Sequence, residues 1–209
     1  MPKAFVKLGD RTMLWYSLVA VGKAGSVDEV VIAVPEGFEN AARAEAAAAG
    51  LRTPVKITAG GVERQDSVRI ALGLTSAESE LVVVHDAARP LATPEIFEAC
   101  LAAAARAGGA IAAIPVSDTL KRVDDGKTIA TTVARAGLWQ AQTPQAFRRD
   151  ALVEAHRRAM SDGIVATDDA DLVERTGVRV EVVEVTTANI KITTPSDLAT
   201  VKAILAARK

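Results

Sequence analysis

The chain has 209 residues, a formal net charge of −1 and 49% apolar residues, with aromatics at only 3%. That length suits one α/β domain with a sizeable core, and the near-neutral charge argues against a broad nucleic-acid-binding surface. A lone cysteine, Cys100, excludes a disulfide framework and suits a reducing cytoplasm, no apolar run is long enough to span a membrane, and no signal-peptide core is present.

In chain order, Met1 to Asp10 reads as loop. A helix with Leu14, Leu18 and Val21 as its stripe follows and ends near Gly22 to Gly25. Glu29–Pro35 is a buried strand closed by proline, Phe38–Ala49 an alanine-rich helix closed by Gly50, and Val55–Thr58 a short strand. Gly60-Gly61 then leads into a helix carrying Val68, Ala71 and Leu72. Glycines there let backbone approach a ligand, and a helix N-terminus offers free N–H groups, but Gly-Gly is usually just a turn and the signal alone is weak.

Leu81-Val82-Val83-Val84 runs straight into His85-Asp86-Ala87-Ala88-Arg89-Pro90. A short, wholly apolar run is a strand buried on both faces, and open α/β sheets bind ligands at strand carboxyl ends. Asp86 and Arg89 are therefore either ligand residues or an N-cap and a surface arginine. Thr93-Pro94-Glu95 starts a helix that ends at Gly108-Gly109, and it places Cys100 mid-helix as a small buried hydrophobe. Ala110–Val116 is another buried strand. The alternation of helices and strands predicts a mostly parallel, doubly wound sheet.

The alternation breaks at about 117–137. Two polar strands around Asp124-Asp125-Gly126-Lys127 form a hairpin arm, which either packs on a partner or lies solvated on its own domain. Leu138–Phe147 returns to the body with three amides and a threonine around a proline. Helices are expected at about 149–161 and 168–176, with a strand over Arg179–Val185. Asn189–Thr193 is short and extended, and Thr194-Pro195-Ser196-Asp197 caps a last helix. No linker divides the chain, so residues 1–209 are expected to form one domain.

The chemistry available is narrow. There is no Gly-x-Ser-x-Gly elbow and no zinc spacing. His156, among Arg157 and Arg158, reads as a surface residue, and His85 as a packing histidine. What remains is a set of cations at predicted strand ends and loops: Lys3, Arg64, Arg89, Lys121, Arg135 and Lys191, with one well-placed acid, Asp86. This combination suits phosphate chemistry, in which Mg²⁺ is held by one or two carboxylates plus phosphate oxygens. An attacking phosphate monoester would already be anionic and need no general base.

Eight motifs in order resemble a known family: Pro2-Lys3-Ala4-Phe5-Val6; Gly60-Gly61 with Arg64, Ser67 and Val68; His85–Pro90; Asp118–Arg122; Arg135 with Trp139; Gln142–Gln145 with Phe147; Thr167-Asp168-Asp169; and Asn189–Thr193. Together they are similar to the 2-C-methyl-D-erythritol 4-phosphate cytidylyltransferases of non-mevalonate isoprenoid synthesis, over essentially the whole chain. The resemblance implies a nucleotide-diphospho-sugar transferase-like fold. It implies a homodimer joined through the β-arm, and CMP transfer from CTP to methylerythritol phosphate with Mg²⁺. Lys3 and Lys191 would neutralise the triphosphate. Gly61, Ser67, Asp86 and Ala87 would bind the nucleotide, with Asp86 also at the metal. Arg89, Thr119, Arg135, Thr143 and Thr167 would hold the acceptor, with Thr119 and Arg135 coming from the partner subunit.

Two departures stand out. Ala188 occupies a position where the family often has an acid, so no metal role is assigned there. Family members also begin with a strand and a glycine-rich loop upstream of Pro-Lys, whereas Met1 here directly precedes Pro2-Lys3. The expectation is a missing central strand, unpaired backbone groups and weak activity, with an internal Met taken as the start. The competing readings are a cytidylyltransferase for another polyol phosphate such as ribitol 5-phosphate, or a non-catalytic nucleotide-binding module. A dinucleotide-dependent oxidoreductase lacks its Gly-x-Gly-x-x-Gly.

Overall fold

The computed structural model describes residues 1–186 and 188–208. After a turn of 3₁₀ helix at Lys3–Phe5, a hairpin of β1 (Lys7–Leu8) and β2 (Arg11–Thr12) turns at Gly9, whose φ is +77°. This hairpin lies where loop was expected. The next elements follow the predicted order: α1 (Met13–Lys23), β3 (Val30–Val34), α2 (Glu39–Ala48), β4 (Val55–Ala59), α3 (Arg64–Leu72), β5 (Leu81–Val84), α4 (Pro94–Ala107) and β6 (Gly108–Pro115). The arm is β7 (Leu120–Val123) paired with β8 (Ile129–Val133), and its turn is closed by Asp124, which accepts from the Thr128 amide at 2.8 Å.

The segment after the arm is the main surprise. Trp139–Arg148 is a ten-residue strand, β9, running antiparallel between β5 and β6. The sequence assigns no strand here, since a buried strand is usually apolar; the buried amides Gln142 and Gln145 find fixed partners, described below. Then come α5 (Arg149–Asp162), α6 (Asp169–Glu174), β10 (Arg179–Glu184) and α7 (Pro195–Ala207), with Thr194 capping α7 as its sequence predicts. Asn189–Thr193 joins no ladder.

Four strands pair in the order β10-β6-β9-β5, all running the same way except β9, while β3 and β4 form a separate parallel pair. Glu29, just before β3, accepts from the Ser76 amide and from the Ser79 hydroxyl just before β5, so β3 and β5 start at one edge. Helices cover both faces. In β6, Ala110 and Ala112 pack with Cys100 and Leu101 of α4, while Ile111 and Ala113 pack with Leu152 and Ala155 of α5 and Leu172 of α6. This alternation is the period of two that a strand imposes. A further core joins Leu14 and Leu18 of α1, Ile32 and Val34 of β3, and Ala42 and Ala46 of α2.

Cys100 is fully buried, its thiol pushed up to about 12 by burial. It is the small hydrophobe expected. Among the described residues, no helix is long and apolar enough to cross a membrane.

A candidate active site at the carboxyl end of β5

Asp86 follows β5 directly. One carboxylate oxygen accepts from Arg64 Nε at 3.0 Å and the other from Lys191 Nζ at 2.7 Å, while the Asp86 amide donates to Thr143 Oγ1 at 3.0 Å. Burial pushes the Asp86 carboxyl up, but the Arg64 and Lys191 cations outweigh it and hold the group at about 2. Asp86 is therefore a fixed anion between two cations at the sheet edge where ligands bind.

Each cation has its own support. Arg64 opens α3, and its Nη1 donates to Asp169 of α6 at 2.7 Å. Asp169, only 1% exposed, is contacted on its other oxygen by Nε2 of His156 of α5 at 3.2 Å. Burial lowers the Arg64 pKa, but Asp169 and then Asp86 raise it further, so the guanidinium stays charged. His156 corrects the sequence reading. It is 2% exposed and packs inward, because it shares the stripe of Leu152, Ala155 and Ala159 while the flanking arginines point out.

Lys191 is placed by its neighbours. Asn189 Nδ2 donates to Gln142 Oε1 at 2.8 Å and to the Thr143 carbonyl at 2.9 Å, and the Ile192 amide donates to the Ala88 carbonyl at 2.8 Å. Arg89 completes this brace. The sequence cast it as a substrate contact; the structure buries it at 8% exposure with Nη1 donating to the Asn189 carbonyl at 2.8 Å. It is turned inward because the tight turn after β5, closed by the Arg89 amide on the Asp86 carbonyl, aims it under the Asn189 loop.

Thr143, also predicted to touch substrate, is buried. Its hydroxyl is shared between the Asp86 amide and His85 Nδ1 at 3.2 Å. His85 is the packing residue expected: its ring meets Phe97 edge-on at 4.9 Å, and burial lowers it to about 4 against the pull of Asp86. The third β9 amide, Gln145, donates to Asp168 at 2.8 Å and accepts from the Ala170 amide, fixing the start of α6.

Gly60-Gly61 sits against α3. Ser67 Oγ accepts from the Gly61 amide at 3.1 Å, and a Cβ on Gly60 would lie 2.6 Å from that oxygen, so a side chain there would displace the hydroxyl. Ser67, Arg64, Asp86 and Ala87 border one cavity, which Ala4, next to exposed Lys3, also lines. Thr167 is exposed just before Asp168, the N-cap of α6. Thr119 and Arg135 are exposed on the arm; Arg135 lines a separate crevice with Ser117 and Trp139 that shares no residue with the Asp86 cavity. Within one chain the structure therefore does not bring these two to Asp86.

Residues 1–207 match the model of the family described as IspD, 2-C-methyl-D-erythritol 4-phosphate cytidylyltransferase. The chain belongs to this family. It is 41% identical to the 2-C-methyl-D-erythritol 4-phosphate cytidylyltransferase of Syntrophus aciditrophicus, over 98% of this chain and 88% of the relative. It is 44% identical to that of Aquifex aeolicus, over 97% and 89%. The crystal structure of the Thermus thermophilus 2-C-methyl-D-erythritol 4-phosphate cytidylyltransferase superposes with a TM-score of 0.85 at 36% identity, covering 98% of this chain and 94% of that one. The nucleotide-diphospho-sugar transferase-like fold expected from the motifs is thereby established.

Among the described residues, no group of three or more His, Cys, Asp or Glu could hold a metal ion by itself. Asp86 is the carboxylate that borders the cavity beside Arg64 and Ser67, and it is ionised. That donor set fits a cation held mainly by a ligand's phosphate oxygens.

Proposed function

We propose that this chain transfers the cytidylyl group of CTP to the phosphate of 2-C-methyl-D-erythritol 4-phosphate and releases pyrophosphate. The observation that carries the reading is the Arg64–Asp86–Lys191 array at the end of β5, beside the Gly60-Gly61 turn, in a chain matched along its length by that family.

An acceptor phosphate oxygen attacks the α-phosphorus, and the bond from that phosphorus to the oxygen bridging to the β-phosphate breaks. The attacking oxygen is already anionic, so no side chain need remove a proton. The chain instead supplies charge and position. Lys191, 41% exposed at the side chain, exchanges its Asp86 partner for the incoming triphosphate, and exposed Lys3, next to cavity-lining Ala4, would add a second cation to it. Arg64, tied to Asp169, stays with Asp86 and keeps it oriented. Gly61 and Ser67 offer a backbone N–H edge and a hydroxyl to cytosine, and Ala87 lies under the ribose. Asp86 would ligate Mg²⁺ with the phosphates, and the ion supplies neutralisation of the charge that develops on the leaving pyrophosphate.

Thr167 would hold the acceptor, with Thr119 and Arg135 reaching it from a partner subunit through the arm. Exposed Val123 and Ile129 on the arm support such pairing. A cytoplasmic homodimer is thus part of the reading. The test is pyrophosphate release with CTP and Mg²⁺ and either methylerythritol phosphate or ribitol 5-phosphate. Turnover with the first alone is expected; turnover with ribitol 5-phosphate alone, or with neither, overturns the proposal.

A further inference from the structure

The chain leaves α5 through Gly163, whose φ is +65°, and runs through Ile164-Val165-Ala166-Thr167 to Asp168, the N-cap of α6. This connection joins no ladder among the described residues. Its burial nevertheless alternates as a strand's does. Ile164 and Ala166 are half-buried against the core, while Val165 and Thr167 are exposed. An extended segment without a neighbouring strand must find other partners for its backbone. One side chain supplies them. Gln65 Nε2 donates to the Ile164 carbonyl at 3.0 Å, and Gln65 Oε1 accepts from the Ala166 amide at 2.9 Å. One residue of a parallel strand would make the same two bonds around Val165. The Gln65 carboxamide thus stands in for a neighbouring strand, and only one orientation of its oxygen and nitrogen satisfies both backbone groups.

Gln65 lies in the first turn of α3, and its neighbours in that turn hold the rest of the candidate site. Arg64 joins Asp86 to Asp169, and Ser67 accepts from the Gly61 amide. One helical turn therefore ties down the carboxylate of Asp86, the Gly60-Gly61 turn and the connection that carries Thr167. Thr167 precedes Asp169 by two residues, at most about 7 Å of chain. Its two flanks are held differently. The Asp168 side is fixed by Gln145 and by Arg64 on Asp169. The other side has the Ile164 amide on the Ala159 carbonyl at its start and the Gln65 carboxamide along its length.

We propose that Gln65 is a positioning residue for the acceptor, setting Thr167 in register with the nucleotide pocket. This rests on the function proposed above, in which Thr167 holds the acceptor. Gln65 acts through Ile164 and Ala166. Gly61, Ser67 and Asp86 have their own bonds and keep their places without it. A connection released at Ile164 and Ala166 does not, and an incoming acceptor must then order it on binding.

The test compares the whole chain with Gln65→Met, which keeps the length of the side chain but has neither amide group. Initial rates of pyrophosphate release are measured against CTP and against methylerythritol phosphate, with Mg²⁺. Gln65→Met should raise KM for methylerythritol phosphate about tenfold and leave kcat and KM for CTP within about twofold. Amide exchange by NMR should quicken at Ala166 and stay unchanged at Ser67, whose amide donates to the Glu63 carbonyl. The melting temperature should fall by about 2–4 °C. Two KM values that stay put, or that rise together, make the clasp purely structural and overturn the inference. So does unchanged exchange at Ala166. A parent chain that releases no pyrophosphate with methylerythritol phosphate overturns the proposed function instead, and the acceptor role of Gln65 falls with it.

Discussion

Replacing Asp86 by Asn tests the electrostatics of the candidate site directly. The carboxyl is held at about 2 in the folded chain against an ordinary 3.8, because Arg64 and Lys191 outweigh the burial that would raise it. A pKa lowered on folding stabilises the folded chain fully above the unfolded value, and the gain is lost as the pH falls through the folded value. At about 1.4 kcal/mol per tenfold change, the ionised Asp86 contributes about 2 kcal/mol at pH 7, and most of this disappears between about pH 4 and pH 2. Asn keeps the shape and one acceptor but not the charge. Urea unfolding should show Asp86→Asn less stable than the parent by about 2 kcal/mol at pH 7, with the gap shrinking to about 1 kcal/mol at pH 3. A gap of the same size at both pH values would mean packing rather than charge, and a more stable variant at pH 7 would mean that desolvation wins. Either result refutes the reasoning.

Asp169→Asn should cost about 2 kcal/mol, less than a fully buried pair because Arg64 is a third exposed; the melting temperature should fall by about 4–8 °C. In a double-mutant cycle with His156→Gln the two losses should be markedly less than additive, whereas additivity would break the proposed chain of contacts. His85 should show flat ring proton shifts in NMR between pH 5 and 8, because burial lowers it to about 4. Unfolding frees it to bind a proton, so its contribution to stability declines as the pH drops below about 6.5, which urea titrations of His85→Gln would reveal as a lost pH slope. Cys100 should resist a disulfide reagent in the native chain and react once urea unfolds it, since burial pushes the thiol to about 12.

The parts of the fold built on local signals were legible. The apolar run Leu81–Val84, the Thr93-Pro94 and Thr194-Pro195 starts and the Asp-Gly turn of the arm all lie where their chemistry places them. Asp86 and Lys191 were legible as charges at expected loops, and the structure joins them. The long-range contacts were not legible. Gln142 and Gln145 look unsuited to a central strand until Asn189 and Asp168 are seen across from them. Arg89 and Thr143 carry the polar atoms of ligand contacts, and nothing local shows that Arg89 Nη1 donates to the Asn189 carbonyl or that the Thr143 hydroxyl accepts from the Asp86 amide. His156 was misread from its arginine neighbours, although its spacing from Leu152, Ala155 and Ala159 held the signal of an inward face. Asp169 was visible only as part of the Thr167-Asp168-Asp169 motif, because nothing local announces that Arg64 will reach it.

The division of the sheet into β3–β4 and β10-β6-β9-β5 has a consequence for how the molecule opens. Side chains rather than a backbone ladder stitch the two blocks at their strand ends: Glu29 to Ser76 and Ser79 at one end, Arg64 to Asp86 and Asp169 at the other. Such a seam is the natural boundary between two cooperative units of local unfolding. The candidate site straddles it, with Ser67 on one bank and Asp86 on the other. A nucleotide that touches both acts as a clamp, so its binding energy appears as slower exchange in strands it never contacts.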